Sequence, residues 1–166
     1  KGDIGVQNLN EQLQQKLNSH QPSITFGTVK FHQGDRVLQT RNDYDKEVFN
    51  GDVGWIEEID KSSFSVKVRF EDKRLVPYER TDLDDLSLAY ALSIHKSQGS
   101  EYPAVILPIM TQHYMMLQRN LLYTGLTRGK RLVIIVGTKQ AVRLAVKNDD
   151  VRKRYTRLTW RICQDT

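Results

Sequence analysis

The sequence predicts an α/β domain interrupted by a small all-β module, and three observations carry that class. Two apolar runs, Ala104-Val105-Ile106-Leu107 and Leu132-Val133-Ile134-Ile135-Val136, each follow a polar segment containing glycine, the layout of strands in an α/β sheet with polar loops at its edge. Between Phe31 and about Tyr90 the hydrophobic period switches to alternation, as where Phe64, Val66, Val68 and Phe70 share one face and Ser65, Lys67 and Arg69 take the other. Ahead of that stretch, Val6, Leu9, Leu13 and Leu17 recur at helical spacing.

Each element has its own local cause. Residues 5–18 read as an amphipathic helix whose buried stripe is the Val6, Leu9, Leu13 and Leu17 row, stopped by Asn18-Ser19-His20-Gln21-Pro22 and followed by a loop. Shorter strands are expected at 36–40, 54–58 and 74–78, punctuated by Asn50-Gly51-Asp52, Asp60-Lys61-Ser62-Ser63 and Glu71-Asp72-Lys73, which together make a small barrel or meander. After Leu92 come a strand at 102–109, a helix at 119–127, a buried strand at 131–137 and a helix at 139–147. A last helix, capped by Asp149 or Asp150, carries Val151, Tyr155 and Leu158. Tyr44, Phe49, Trp55 and Tyr78 are expected mainly as core of the small barrel, with stacking platforms for single-stranded bases as the other use of such rings. His32 and His113 have no visible partner in sequence and are expected at the surface.

At 166 residues the chain holds one ordinary core, or one core with a small inserted module. No apolar run approaches the ~20 residues of a membrane helix, so no membrane partner is expected. The first residues carry no initiator Met and no apolar signal core, so the chain looks cut from a longer one and cytoplasmic. One cysteine, Cys163, and four scattered histidines offer neither an internal disulfide nor zinc-ligand spacing, so no metal site is expected. The net charge of +5 is unevenly spread. Residues 128–161 hold 11 Lys plus Arg against 2 acids, while residues 1–127 hold 14 against 17. Such a basic block fits phosphate backbones and equally fits a solvated helix surface.

Two segments carry chemistry. In Ser93-Ile94-His95-Lys96-Ser97-Gln98-Gly99-Ser100-Glu101, hydroxyls, a cation and backbone N–H groups can hold phosphate oxygens without reading bases, and Gly99 leaves room for close backbone approach. A polar loop capping a helix is the plain alternative. In Leu122-Tyr123-Thr124-Gly125-Leu126-Thr127-Arg128, the guanidinium offers a rigid fork for charge that spreads over a transferred phosphoryl group. Against that stands a simple role for Arg128 at a helix C-terminus. A third run, Gly34 through Tyr44 and then Val48 through Gly54, contains Asn42, which can donate to a phosphate or close a loop, and the turn residues Asn50 and Gly51.

The first two segments resemble motifs V and VI of superfamily 1 helicases. His95, Lys96, Gln98, Gly99 and Glu101 occupy the defining positions of the first. The third run resembles the entry to the SH3-like 2B module of the RecD and TraA branch, which includes the exodeoxyribonuclease V alpha subunit, and Leu88-Ala89-Tyr90-Ala91 resembles its exit. The resemblance implies a RecA-like helicase domain 2A over residues 1–30 and 89–166, with the SH3-like barrel inserted over 31–88. It implies that Ser93, His95, Lys96 and Ser97, with Asn42, face the DNA backbone, and that Gln98, Gly99 and Glu101 face ATP. It makes Arg128 the arginine finger, positioned by Tyr123 and Thr127 and more weakly by Thr124.

Neither a Gly-x-x-x-x-Gly-Lys-Ser/Thr loop nor an Asp-Glu pair following a strand for Mg²⁺ is found here. By resemblance both belong to a preceding RecA-like domain 1A of the same protein. ATP and Mg²⁺ are therefore expected in the full-length protein, and the 166 residues alone are expected neither to hydrolyse ATP nor to unwind DNA. The resemblance further implies 5′→3′ translocation on single-stranded DNA in recombination or repair. Two alternatives stay open: a nucleic-acid-binding module that works without ATP, and a motor subunit of an exonuclease V or relaxase assembly with other subunits as partners.

Overall fold

The computed structural model describes residues 4–149, together with all their side chains except that of His113. The last expected helix and Cys163 lie outside the described residues. Two compact units divide between Gly99 and Ser100.

The first unit runs α1 (Val6–Leu17), β1 (Ser23–Phe26), β2 (Val29–His32), β3 (Arg36–Gln39), β4 (Val53–Asp60), β5 (Ser65–Phe70), β6 (Leu75–Tyr78), a 3-10 segment (Arg80–Asp85) and β7 (Leu86–Leu88). Strands β3 to β7 form one antiparallel sheet in the order β6-β5-β4-β3-β7, so the last strand returns beside the first, with Val37 opposite Leu88. A register shift between Ile56 and Glu58 interrupts the β4–β5 ladder. Alternation does what it predicts in β5: Val66, Val68 and Phe70 are buried and Lys67 and Arg69 are exposed. These three meet Val37, Ile56, Val76, Leu83 and Leu86 in one core. Each such side chain contributes about 1.5–3 kcal/mol through burial.

Several expectations are corrected here. The stretch after Pro22 is a hairpin, β1–β2, with Ile24 opposite Phe31 and a two-residue Gly27-Thr28 connection. Ile24 and Phe31 join the core, and the pairing carries His32 inward to a buried position. Of the four aromatics expected as core, only Tyr78 is: its ring is buried and its hydroxyl donates to Gln39 Oε1 at 2.7 Å. Burial, and then the carboxylates of Asp43 and Asp82, push that phenol up. Trp55 stands on the outer face of the sheet under the guanidinium of Arg36, and Tyr44 and Phe49 meet edge to face on the exposed β3–β4 loop.

The largest correction concerns α1, whose buried residues are Asn10 and Gln14, while Leu17 is 69% exposed and Val6 is also exposed. Hydrogen bonding decides which face turns inward. The amides of Asn10, Gln14 and Asn18, four residues apart, reach the Ala91, Lys30 and Gln33 carbonyls and the Asp35 carboxylate, supplying partners that buried polar groups require.

The second unit contains β8 (Tyr102–Ile109), a 3-10 segment (Thr111–Met116), α2 (Arg119–Leu126), β9 (Gly129–Gly137) and α3 (Lys139–Lys147). β8 and β9 pair in parallel from Tyr102 opposite Gly129 to Ile109 opposite Gly137, which requires a crossover, here supplied by α2. Thr138 caps α3, its hydroxyl accepting from the Ala141 N–H at 3.1 Å. Arg119 and Asn148 tie the two helices together through the Val146 and Leu117 carbonyls. The expected buried strand at 131–137 is not buried: Leu132, Ile134, Ile135 and Val136 are 40–51% exposed. An apolar run of this kind belongs to a sheet covered on both faces. Among the described residues the parallel sheet has two strands only.

Candidate nucleic-acid and nucleotide site

In the first unit the chain leaves β7, passes Tyr90 and Ala91, and closes a tight turn over residues 94–99. The turn is internally bonded. The Ser97 N–H donates to the Ser93 carbonyl at 3.1 Å, the Gln98 N–H to the His95 carbonyl at 3.3 Å, and the Lys96 N–H to Ser93 Oγ at 3.3 Å. Gly99 ends it at φ +83°, in the left-handed region where a side chain is strained. His95, Lys96, Gln98 and Gly99 are exposed. Ser97 departs from the expected outward set: it is buried, and its hydroxyl donates to the Ile94 carbonyl at 2.8 Å, so it braces the turn from within.

Asn42 lies on the exposed β3–β4 loop, where its Oδ1 accepts from the Asn50 N–H at 2.9 Å. Its loop-closing role is thus visible, and the carbonyl oxygen is engaged in it. The loop is further fixed by paired bonds between Asp43 and Val48 and by the Lys46 ammonium, held between Asp43 and Asp82 at 2.9 and 3.0 Å. The lysine beside it, through a side-chain hydrogen bond first, keeps the Asp43 carboxyl below the usual carboxylate range.

In the second unit, Glu101 immediately precedes β8 and Arg128 immediately precedes β9, and the first residues of these strands are partners. The two groups therefore stand side by side at the amino ends of neighbouring strands. The Tyr102 N–H closes the junction on the Arg128 carbonyl at 2.8 Å. This edge differs from the carboxyl-end crevice used by doubly wound sheets.

The Arg128 side chain is half-buried and parked. Nε donates to the Thr124 carbonyl at 3.1 Å, Nη1 to the Ser100 carbonyl at 3.1 Å, and Nη2 to Thr127 Oγ1 at 3.2 Å. One fork thus complements the α2 C-terminus, as the plain reading of the sequence allowed, and also pins the residue before Glu101. Thr127 Oγ1 is one of the three acceptors on the guanidinium. Thr124 contributes through its carbonyl, while its hydroxyl bonds back to Asn120. Tyr123 is exposed and does not touch Arg128 through any polar atom. Glu101 pairs with Lys130 at 3.0 Å, both side chains more than half exposed, an arrangement worth little in water and easily exchanged for another partner.

The support behind the turn is a feature that motif reading missed. Asp35, fully buried, accepts from Asn18, the His32 N–H and the Tyr90 hydroxyl at 2.7, 2.7 and 2.8 Å, and from Gln14 at 2.5 Å. The only sequence signal was the Asn10, Gln14, Asn18 spacing itself.

Residues 9–70 match the family described as the ATP-dependent RecD-like DNA helicase SH3 domain, and residues 88–136 match the UvrD-like helicase C-terminal domain. The chain belongs to the RecD-like helicases. Among its relatives are the ATP-dependent RecD2 DNA helicase of Deinococcus radiodurans, 34% identical over 145 residues, or 87% of this chain and 20% of that protein. The RecBCD enzyme subunit RecD of Mycobacterium tuberculosis is 34% identical over 153 residues, or 91% of this chain and 26% of that one. This RecD-like chain thus spans a fifth to a quarter of the length of the relatives it matches. Its fold is that of Pif1 helicases. A Bacteroides Pif1 structure solved with ADP-AlF3 and single-stranded DNA superposes with a TM-score of 0.65 over 99% of this chain and 43% of that one at 18% identity. Pif1 from Candida albicans gives 0.57 over 96% and 47% at 18% identity. The fold class expected from sequence, RecA-like α/β with an inserted SH3-like module, is therefore the one found. No helix among the described residues is long and apolar enough to cross a membrane.

Proposed function

We propose that this chain is the C-terminal half of an ATP-driven DNA translocase, domain 2A over residues 1–30 and 89–166 with the 2B module over 31–88. It supplies a guanidinium to ATP held mainly by an N-terminal RecA-like domain of the same protein. The observation that supports this is the placement of Glu101 and Arg128 one residue before the paired strand starts Tyr102 and Gly129, with the guanidinium fork already held by the Thr124 and Ser100 carbonyls. ATP and Mg²⁺ are bound chiefly by that N-terminal domain. On closure, Arg128 exchanges the Thr124 and Ser100 carbonyls for phosphate oxygens, a charge-assisted and stronger pairing, and Glu101 leaves Lys130 to sense the nucleotide, with Gln98 and Gly99 beside it. Ser93, His95 and Lys96 hold the backbone of single-stranded DNA through the exposed rim of the turn, Ser97 keeps the turn closed, and Asn42 orders the loop of the small module. Movement is 5′→3′, in recombination or repair in the cytoplasm, either as a free helicase or as a subunit of an exonuclease assembly.

Two measurements on the 166-residue chain test this. The pure chain shows no steady-state ATPase, and turnover abolished by Arg128→Ala would contradict the division of labour. It binds single-stranded oligonucleotides weakly with a negative salt slope, which Lys96→Ala reduces by roughly 0.7 for one lost phosphate contact. Binding indifferent to salt contradicts backbone recognition.

A further inference from the structure

Four neutral donors converge on one buried carboxylate, and three of them, Gln14, Asn18 and Tyr90, flank the small barrel in the chain. Asp35 sits where the chain enters that barrel, and Tyr90, which donates to it at 2.8 Å, sits where the chain leaves. One residue later, Asn10 of α1 engages both backbone groups of Ala91: its Nδ2 donates to the Ala91 carbonyl at 2.9 Å, and its Oδ1 accepts from the Ala91 N–H at 2.9 Å. Asn10 thereby takes the place of a neighbouring strand. Gln14 and Asn18, on the same face of α1, complete the Asp35 shell. Ser93 begins the turn two residues further on, with Leu92 packed against Leu38, Val53 and Ala89.

We propose that Asp35 and the amide face of α1 form a positioning clamp that fixes the pose of the Ser93–Ser97 turn. The clamp locks the entry and exit of the barrel and α1 into one body, so the turn is presented preformed. These are positioning residues, since none reaches the rim that His95 and Lys96 offer. The polar stripe on α1 follows from this role. A helix that only covered a core would turn its leucines inward, whereas this one exposes Leu17 and buries amides whose bonds specify distance and direction. The tie of the clamp to nucleic acid rests on the function proposed above, but the clamp itself is a claim about the turn alone.

The test compares amide exchange in the 166-residue chain carrying Tyr90→Phe, Asn10→Ala or Val66→Ala. Asp35→Asn sets an amino group against incoming donors and risks the whole fold, so Tyr90→Phe, which deletes one hydroxyl, is the gentler probe. Asn10→Ala and Tyr90→Phe are expected to speed exchange at the Ser97 and Gln98 amides by about tenfold through local opening, with the β4–β5 ladder unchanged. Val66→Ala, a core truncation, is expected to loosen the ladder. Turn exchange that stays at the wild-type rate in both clamp variants, or that rises only in step with the ladder, overturns the clamp. The same variants are titrated with single-stranded oligothymidylate, where Asn10→Ala is expected to weaken binding about threefold as the turn loses preorganisation. A wild-type chain that ignores the oligonucleotide while the exchange pattern holds condemns the nucleic-acid role of the turn and upholds the clamp.

Discussion

Strands β5 and β9 look alike in composition and behave as opposites. In β5 every second side chain is buried, and the opposite face carries Lys67 and Arg69 bonded to Glu58 and Glu57 across the ladder. In β9 a longer apolar run stands largely in solvent. The first unit has a core of its own: twelve buried side chains form one cluster, and ion pairs join Lys67 to Glu58 and Arg69 to Glu57 on the outer face of the sheet. Among the described residues, the second unit shows a two-stranded parallel sheet whose apolar strand β9 is largely exposed, whereas parallel sheets are ordinarily covered on both faces. The electrostatics divide similarly, because residues 31–88 carry 9 basic and 14 acidic side chains while residues 128–161 carry 11 and 2. The lesson is one of labour: residues 31–88 form an acidic brace around a shared core, and the second unit offers the exposed face of β9 and a guanidinium parked on carbonyls it can exchange.

The strongest way to break this comparison is to make the same truncation on both sides. Ile56→Ala, at a site with 1% exposure, is expected to cost roughly 2–5 kcal/mol in urea unfolding. Ile134→Ala, at 43% exposure, is expected to cost less than about 1 kcal/mol. Equal losses would mean that the two units share one core. A smaller effect sharpens the point within the barrel. A Cβ at Gly54 would lie 2.6 Å from Val68 Cγ1 and 2.8 Å from the Arg69 carbonyl oxygen, so Gly54→Ala is expected to cost about 1–3 kcal/mol through overpacking. No loss would show that β4 and β5 are not held that closely.

The smallest effect is on acid stability. The Ser62 hydroxyl, followed by Ser63 and the backbone N–H groups of both, brings Asp60 down to about 2 from an ordinary 3.8, and a side-chain hydrogen bond from Arg69 lowers Glu57. A carboxyl depressed in the folded state contributes stability that is complete above its unfolded value and disappears as pH falls through the folded one. The barrel is therefore expected to lose resistance to urea between about pH 4 and pH 2, and Asp60→Asn should flatten that decline slightly. An identical profile in the variant would remove Asp60 from the account.

Much of the fold was legible because alternation and helical period are written locally. Strands β3 to β6, β8 and β9 and helices α2 and α3 fall where those periods place them. The hairpin at 23–32 escaped because each arm has only four residues and the Gly27-Thr28 connection is not among the stronger turn signals. The orientation of α1 escaped because period reports which residues share a face, not which face turns inward, and here the amides of Asn10, Gln14 and Asn18 are bonded inward while Val6 and Leu17 are exposed and Leu9 and Leu13 only half-buried. Trp55 stood outside because its alternation phase matches that of the exposed Arg69 opposite it. The exposure of β9 was illegible because an apolar run looks the same whether or not its covering layers are present. The site motifs were legible as residue sets, while the parking of Arg128 and the inward turn of Ser97 depend on carbonyls that no motif records.

The central claim is that Arg128 serves a nucleotide bound largely elsewhere. Its most direct test is single-turnover ATP hydrolysis by the full-length protein with saturating single-stranded DNA, comparing wild type with Arg128→Lys and Arg128→Ala, after circular dichroism has shown that each variant folds. The account predicts that Arg128→Ala slows hydrolysis by roughly 10³- to 10⁵-fold with ATP binding largely kept. It also predicts that Arg128→Lys recovers little of the loss, because a point charge lacks the planar fork. Hydrolysis within a few-fold of wild type in Arg128→Ala would contradict it, and would leave Arg128 as a cap on the end of α2.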